Sequence, residues 1–424
     1  MEKTRKKKIE NQGVPQVLLP IIGMLATVKG ALYELVVGSG LSVLQMLLEQ
    51  ERERLCGARY RHDAGRRASR AGFAPGELVM GGRRVHVKRP RVRSSSGEEL
   101  PLPSWEQFAT DDPLTHRAVE QMVIGVATRK YGRSLEPAPP EVKVRGTSKS
   151  AVSRRFVAAT KKNLDDWLTR TLADLSLAAV MIDGLVCGDH TVLVALGIDE
   201  KGMKHVLGLW EGATENSTAC KELLSNLIDR GLDATRAMLF VIDGSKALAK
   251  AVRDTFGKRA MIQRCQVHKR RNVLEHLPEK RRTSVGAMIS TAYRCADPQR
   301  AQALLEKLAR QLENKHPSAA ASLREGLEET LTVAKLGLPD ALDRTLVSTN
   351  PIENLNSVLR RVLRNVKRWQ GGTMVLRWVG IGLHEATKGF RRLKGHEGMP
   401  QLVAALRAHE ARLAGELAPR VKAA

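Results

Sequence analysis

Two apolar runs in this chain stop at the same two-residue signal. Leu177-Ala178-Ala179-Val180-Met181-Ile182 runs into Asp183-Gly184, and Met238-Leu239-Phe240-Val241-Ile242 runs into Asp243-Gly244. Short apolar runs bounded by turn residues read as buried strands, so the chain is constrained to a core built on a sheet. Each strand is expected to close on a carboxylate. A carboxylate at a buried strand end costs desolvation unless a cation or a donor compensates. Two of them brought together repel, and a metal relieves the repulsion.

The elements around these runs follow a readable order. Thr191 to Ile198 and His205 to Trp210 read as strands flanking a turn on Asp199-Glu200-Lys201-Gly202, and with the strand ending at Asp183 they make an antiparallel meander. Asn216 to Arg230 reads as an amphipathic helix, and the strand ending at Asp243 follows it. A helix over Ser245 to Phe256, a strand over Arg259 to Arg264 and a helix from Val267 complete the series. The order β-β-β-α-β-α-β-α is that of the ribonuclease H-like fold, in which the first and fourth strands are neighbours. Asp183 and Asp243 are then expected to emerge side by side. Over residues 279–346 strand signals vanish and Leu, Ala, Lys and Glu recur at helical spacing, broken at Pro298 and Pro317, which predicts an all-helical insertion. Beyond Gly395 the chain reads as a polar, Ala-rich helix with a frayed end.

Upstream, Gly76 to Met80 and Arg84 to Lys88 read as short strands joined by Gly81-Gly82, a hairpin signal. Arg83, Arg84, Lys88, Arg89, Arg91 and Arg93 crowd this segment ahead of the loop Ser94-Ser95-Ser96-Gly97. On a turn-rich module in a basic chain they point to DNA backbone contact ahead of a merely solvated face. Residues 114–168 turn helical, interrupted at Pro137-Ala138-Pro139-Pro140. There Lys149, Arg154 and Arg155 surround Val152 in a segment opened by small polar residues, Gly146-Thr147-Ser148. That pattern fits the second helix of a helix-turn-helix, whose early side chains enter the major groove. The Pro cluster lies where the supporting helix should form, and an ordinary capped helix fits equally well.

Charge narrows the partner. Against 45 Asp+Glu the 424 residues carry 70 Lys+Arg, a net +25. Such a surplus points to a polyanion, nucleic acid ahead of an anionic membrane surface. No segment has the unbroken apolar length of a transmembrane helix, so no membrane partner is expected. Val17 to Leu35 is interrupted by Lys29 and Glu34 and followed by no cleavage-site pattern, so Lys6-Lys7-Lys8 reads as a solvated arm and not as the start of a signal peptide. Aromatics at 4% argue against base-stacking platforms. Cys56, Cys187, Cys220, Cys265 and Cys295 are scattered and odd in number, which suits a reducing cytosol and no disulfide framework.

Two further constellations join the Asp pair. In Ser348-Thr349-Asn350-Pro351-Ile352-Glu353-Asn354-Leu355-Asn356, Asn350 can cap a helix with Pro351 in its first turn. Asn356 lies about one turn beyond Glu353 and Arg360 about one turn beyond that, so one face carries a ligand, an amide and a cation, which Arg361, Arg364, Lys367 and Arg368 extend. Ile352, Leu355, Val358, Leu359 and Val362 mark the buried face. Two Asp and this Glu can converge on two divalent metals, the chemistry of cutting and joining phosphodiesters; oxygen-only ligands favour Mg²⁺ or Mn²⁺ over zinc. The other constellation is Gln263-Arg264-Cys265-Gln266-Val267-His268-Lys269-Arg270-Arg271-Asn272. Cys265 and His268 have a spacing zinc can use, but a structural zinc wants four ligands, and the spare candidates His276 and Cys295 have no pairing spacing. The favoured reading has Cys265, like Asn356, shaping the pocket, and His268 hydrogen-bonding a carboxylate or phosphate. Lys269, Arg270 and Arg271 then take the backbone of a DNA strand.

At these residues the chain resembles the mutator-type transposases of bacterial insertion sequences. The resemblance runs from about Pro90-Arg91-Val92-Arg93 to Trp378. It is strongest in Ile182-Asp183-Gly184, in Gly208 to Asn216, in Val241 to Gly244 with Gln263 to Asn272, and in Thr349 to Arg360 with Arg368-Trp369. It implies a DDE catalytic triad, here Asp183, Asp243 and Glu353, with a helical insertion before the Glu, and a Cys-x-x-His signature matched by Cys265 and His268. The helix-turn-helix is weakly formed, and Ser348 and Asn354 stand where the family often carries Thr and Ser.

The expectation is a DNA transposase with an α/β, ribonuclease H-like catalytic core, an all-helical insertion and a mostly helical N-terminal DNA-binding region. Its rivals are a ribonuclease H-like nuclease that never joins, and a non-catalytic DNA-binding protein descended from a transposase. Expected boundaries are residues 1–110 for an N-terminal region with the basic β-like module, 111–172 for a helical DNA-binding region, 173–278 and 347–395 for the two parts of the core, 279–346 for the insertion and 396–424 for a helical tail. The expected partner is double-stranded DNA, terminal inverted repeats and target, bound by a homodimer or larger assembly on paired ends. The expected location is the cytoplasm of a bacterium, at the nucleoid.

Overall fold

A computed structural model of the chain describes residues 18–61, 65–66, 68–110, 113–212 and 217–417. The Lys6-Lys7-Lys8 arm, Ala213 to Asn216 and the expected frayed end beyond residue 417 lie outside the described residues. The chain divides into two compact units, residues 1–159 and 160–424.

The first unit is built on a long hairpin. Helix α1 (Leu18–Cys56) is followed by strands β1 (Ala68–Met80) and β2 (Arg83–Ser94), paired antiparallel with Met80 opposite Arg83. Gly81 and Gly82 both have positive φ, 56° and 75°, which a two-residue turn between right-twisted strands requires. The strands are longer than the predicted pair because α1 covers them along their length: Leu41, Leu44 and Leu48, one helix stripe, share a core with Leu78, Val85, Val87 and Val92. Two short strands, β3 (Glu99–Leu100) and β4 (Val144–Arg145), also pair with β2.

Helices α2 (Pro103–Thr110) and α3 (Pro113–Val123) and a 3₁₀ turn at Thr128–Ser134 precede α4 (Lys149–Thr169), within which the division between units falls. The predicted helix-turn-helix is not formed with its usual short turn. Residues 124–148 separate α3 from α4, and the Pro-rich stretch is extended chain. The helix predicted across 114–168 is thus two helices.

The second unit holds a five-stranded mixed sheet. Strands β5 (Leu177–Cys187), β6 (His190–Asp199) and β7 (Lys204–Gly212) form the antiparallel meander. Helix α5 (Ser217–Asp229), β8 (Met238–Ile242), α6 (Lys246–Phe256), β9 (Ala260–Arg264) and α7 (Gln266–Glu275) follow in the predicted order. The sheet order is β7-β6-β5-β8-β9, with β5, β8 and β9 parallel. One face packs Val180, Ile182, Leu193 and Phe240 against Leu223 and Leu227 of α5 and Leu248 and Val252 of α6.

One expectation is corrected here: β5 does not end at Asp183. It continues to Cys187, with Asp183 opposite Val194 on β6. Only the β8 side of the strand ends there, at the pair Ile182–Ile242, because β8 stops at Ile242.

From α8 the chain is helical: α8 (Glu279–Tyr293), α9 (Pro298–Glu313), α10 (Pro317–Arg324) and α11 (Asp340–Leu346). The prolines that break the sequence pattern open helices: Pro298 and Pro317 sit in first turns, and Asp297 caps α9 by accepting from Gln299 N at 2.9 Å. Ile289, Leu305, Leu308, Leu312 and Leu323 form a core of their own with Val273 of α7. Three helices finish the chain, α12 (Asn350–Leu363), α13 (Gly372–Thr387) and α14 (Met399–Leu417). Among the described residues no helix is long and apolar enough to cross a membrane.

Candidate active site

The sheet delivers two carboxylates to one place. Ile182 pairs with Ile242 across the parallel β5–β8 ladder, so Asp183 and Asp243, the next residues, leave that rung together. Asp183 is tied on both oxygens: Asn356 Nδ2 donates to Oδ2 at 2.7 Å and Gly184 N to Oδ1 at 3.0 Å. Burial, and after it the charge of Asp243, hold the Asp183 carboxyl above the usual range despite those donors. Asp243 accepts from Ser245 N at 3.0 Å, while the Ser245 hydroxyl caps α6.

Glu353 arrives on α12. The chain enters that helix through an antechamber made by β9 and α7: Cys265 N donates to Ile242 O at 2.8 Å, and Gln266 N donates to Val347 O at 2.9 Å. Thr349 holds the N-cap position, but its hydroxyl makes no cap bond and turns to Glu353 Oε1 at 2.6 Å. The same oxygen lies 3.3 Å from His268 Nδ1 and 3.4 Å from Cys265 Sγ. A hydroxyl has one proton; the shortest separation assigns it to the carboxylate and leaves the oxygen to accept from a His268 Nδ1–H. Glu353 Oε1 is 3.8 Å from His268 Nδ1. Hydrogen bonding to Cys265 raises the His268 imidazole above its usual range against the opposing effect of burial, and the Cys265, Glu353 and Asp243 charges add to the rise. Burial would raise the Cys265 thiol, but bonds to His268 and Thr349 outweigh it and hold the thiol below its usual value.

The ligating atoms of Cys265, His268 and Glu353 all lie within 4.8 Å of one another, a group that could hold a metal ion. Asp183 and Asp243 face this cluster electrostatically, through His268, without joining it. Neither His276 nor Cys295 joins it, so no four-ligand zinc site forms among the described residues. The donor set beside Asp183 suits a hard cation. Two carboxylates emerge side by side, and the Oδ1 of the fully buried Asn356 has no hydrogen-bond partner. A buried amide oxygen without a donor is costly unless something positive faces it.

The basic residues divide by environment. Arg270 and Arg271 are exposed on α7 and line a cleft of about 350 Å³ with Val267, Leu274, Glu275 and Arg282. Arg360 and Arg361 are exposed along the far half of α12, and Arg364 is exposed at its C-cap. Lys269 corrects the sequence reading: it is buried, its Nζ donating to the carbonyls of Ser322 (2.6 Å) and Glu325, and it is not free to hold a DNA strand. On the hairpin of the first unit, Arg89 and Arg91 each bind Glu99 at 2.7 Å, Arg84 lies 3.8 Å from Glu77, and Lys88 and Arg93 are exposed. On α4, Lys149 and Arg154 are exposed, while Arg155 donates to Gly146 O at 3.1 Å.

Sequence reasoning placed no role on two residues that build the site. One is Thr349, described above. The other is Gln263, fully buried, whose Nε2 donates to Thr330 O at 3.0 Å and whose Oε1 accepts from Val333 N at 2.8 Å, pinning β9 to the end of the helical region. A buried Gln in a short strand gives no local sign of a partner so distant in the chain.

The second unit is thus a mixed α/β unit with Asp183 and Asp243 brought together by its neighbouring central strands β5 and β8. The profile described as "Transposase, Mutator family" matches residues 27–392. Relatives include the transposase for insertion sequence element IS256 in transposon Tn4001 of Staphylococcus aureus, 27% identical over 353 residues, covering 81% of this chain and 87% of the relative. The transposase for element ISRM5 of Rhizobium meliloti is 28% identical over 357 residues, 81% of this chain and 86% of its own. That for IS406 of Burkholderia multivorans is 29% identical over 346 residues, 79% and 86%. The chain belongs to the Mutator family of transposases.

Proposed function

We propose that the chain cuts and joins DNA at the ends of an insertion sequence, using Asp183, Asp243 and Glu353 in a ribonuclease H-like core. The core would comprise residues 173–278 and 347–395, with 279–346 as its helical insertion. The observation that carries the reading is the parallel rung Ile182–Ile242, which sets two carboxylates beside each other under Asn356, three residues along α12 from Glu353. The three acidic residues would hold Mg²⁺ or Mn²⁺ as a two-metal site, Asn356 Oδ1 lying beside it. When bound, such ions activate the attacking oxygen and neutralise charge on the leaving one.

The chain's own groups do the positioning. Asn356 Nδ2 fixes the Asp183 carboxylate, Ser245 N that of Asp243, and the Thr349 hydroxyl that of Glu353. His268, held protonated to higher pH than a free imidazole, can donate to a phosphate oxygen. Arg270, Arg271, Arg360, Arg361 and Arg364 supply cations for the strand on either side. In the first step the oxygen of water bonds to a phosphorus at the element's end and the 3′-oxygen leaves. In the second, that 3′-hydroxyl attacks a phosphorus of another duplex and a second 3′-oxygen leaves. Paired ends imply at least two copies of the chain, working on DNA in the bacterial cytoplasm.

The test is a labelled terminal repeat incubated with the protein and Mg²⁺ or Mn²⁺, beside the Asp243→Ala protein. Metal-dependent nicking and end joining, both lost in the variant, are expected. Nicking without joining would reassign the chain to a hydrolytic nuclease, and binding without either would make it a DNA-binding protein only.

A further inference from the structure

A second basic cavity lies at the start of the Glu353 helix and has no part in the arrangement above. It encloses about 420 Å³, and Lys204, Arg344, Lys394, Asn350, Asn354 and Thr345 line it together with apolar atoms. The three cations come from three separate elements: the start of β7, α11, and the loop between α13 and α14. None of them has a carboxylate within 4.0 Å among the described residues, and no acidic side chain lines the cavity. Elsewhere in this unit cations such as Arg236, Arg264 and Arg324 do find carboxylates.

The walls are held together by specific bonds. Leu393 N donates to Gly202 O at 2.8 Å, joining the loop to the β6–β7 turn, and the Thr345 hydroxyl of α11, which donates to Ala341 O at 2.8 Å, lies 3.0 Å from Lys394 O. Gly395, at φ +81°, lies so close to α11 that an added Cβ would stand 2.4 Å from Leu342 N, so only glycine permits the approach. Lys204 is half-buried, and burial holds its ammonium below the usual range. Three like charges facing one cavity repel. They also sit beside the first turn of α12, the positive end of that helix's dipole, which favours an anion.

We propose that this cavity is a phosphate seat, in which Lys204, Arg344 and Lys394, with the amides of Asn350 and Asn354, take a backbone phosphate of the DNA whose neighbouring phosphodiester lies at Glu353. The proposal rests on the transposase reading and adds a contact to it. Asn350 and Glu353 are about 4.5 Å apart along the helix axis, so the seat and that carboxylate lie within one turn of each other. The seat sets the register of the strand against the carboxylates, whereas the α7 and α12 arginines lie along its path.

The experiment is the salt dependence of duplex binding, measured without metal so that it reads seating and not chemistry. Each phosphate contact contributes about 0.9 to the slope of log K against log salt. The triple variant Lys204→Gln/Arg344→Gln/Lys394→Gln removes that one contact and should lose about 0.9 from the slope. Since Lys204 is half-buried, the double variant Arg344→Gln/Lys394→Gln, at two exposed positions, should lose most of that ~0.9 with its Tm unchanged. Arg300→Gln/Lys307→Gln/Lys315→Gln removes the same charge from exposed sites elsewhere, and its slope should stay near that of the parent protein. An equal drop in that control would overturn the seat in favour of a diffuse charge effect. An unchanged slope in the triple variant, with saturable binding of inorganic phosphate that the variant loses, would overturn DNA as the source and leave a free anion. An unchanged slope with no phosphate binding would overturn the site. Failure of strand cleavage in the parent protein leaves this readout intact, so the two readings fail separately.

Discussion

Thr349 and Glu353 stand one helical turn apart, and the hydroxyl of the first donates to the carboxylate of the second at 2.6 Å. Thr at an N-cap ordinarily spends its oxygen on the backbone N–H groups of the first turn, a bond whose loss costs about 1 kcal/mol. Here the backbone bond is forgone and the hydroxyl serves the carboxylate instead. Because the same oxygen also meets His268 and Cys265, it couples α12 to the end of β9.

Thr349→Val keeps the shape and removes the hydroxyl. Strand cleavage should fall about tenfold, the equivalent of roughly 1.4 kcal/mol of lost positioning. Thr349→Ser should recover most of it. A Val variant that cleaves at the parent rate would remove Thr349 from the machinery.

Asp183→Ala, Asp243→Ala and Glu353→Ala should each take cleavage below detection while duplex binding persists, read by gel shift beside a nicking assay. Asp183→Asn should in addition raise the Tm in chelator, because burial and the neighbouring Asp243 both oppose the charged form. A lower Tm would show that the carboxylate is better compensated than its surroundings indicate.

Lys269 gives a pH signature. Its ammonium is pushed down to about 8 by burial, with Arg264 adding to the effect. Between about 8 and the unfolded value of roughly 10.4 the unfolded chain binds the extra proton, so stability should rise with pH across that window. The rise should be missing from Lys269→Met, compared by thermal unfolding at pH 7.5 and 9.5. An identical pH slope in both proteins would reject the assignment.

Arg270→Gln and Arg271→Gln, next in sequence but exposed, should behave oppositely to Lys269→Met. Each should weaken duplex binding and reduce its salt slope by about 0.9, with an unfolding free energy within about 0.5 kcal/mol of the parent. A variant that loses stability and keeps its affinity would place that arginine with Lys269 as a structural group.

The contrast between Lys269 and Arg270 shows what local pattern can and cannot carry. As a run of basic residues Lys269-Arg270-Arg271 looks uniform. On a helix, however, Lys269 shares the face of Val273, and that face meets α10, whose carbonyls are supplied from 53 and 56 residues away. The apolar runs were legible because burial on both faces leaves an unbroken stretch, and Asp243 and Glu353 sit at element starts and ends that capping and turn signals mark. Asp183 was read as a strand end because Gly184 follows it; the antiparallel ladder to β6, which the local sequence does not encode, carries the strand on to Cys187. The paired role of Thr349 with Cys265 was hidden for the same reason, as was the 25-residue stretch, 124–148, that parts the expected helix-turn-helix.

The bond from Thr349 N to Cys265 Sγ joins residues 84 positions apart. Everything between them leaves the sheet at one point and comes back to it, clasped again by Gln266 N and Val347 O. Doubling the length of such an excursion costs only about 0.6 kcal/mol of closure entropy. A lineage of these proteins is therefore free to lengthen, trim or replace the helical region as a cassette. The candidate site keeps its geometry through such an exchange only if the clasps at its mouth are kept together with the bonds that Gln263 and Lys269 make into the helical region.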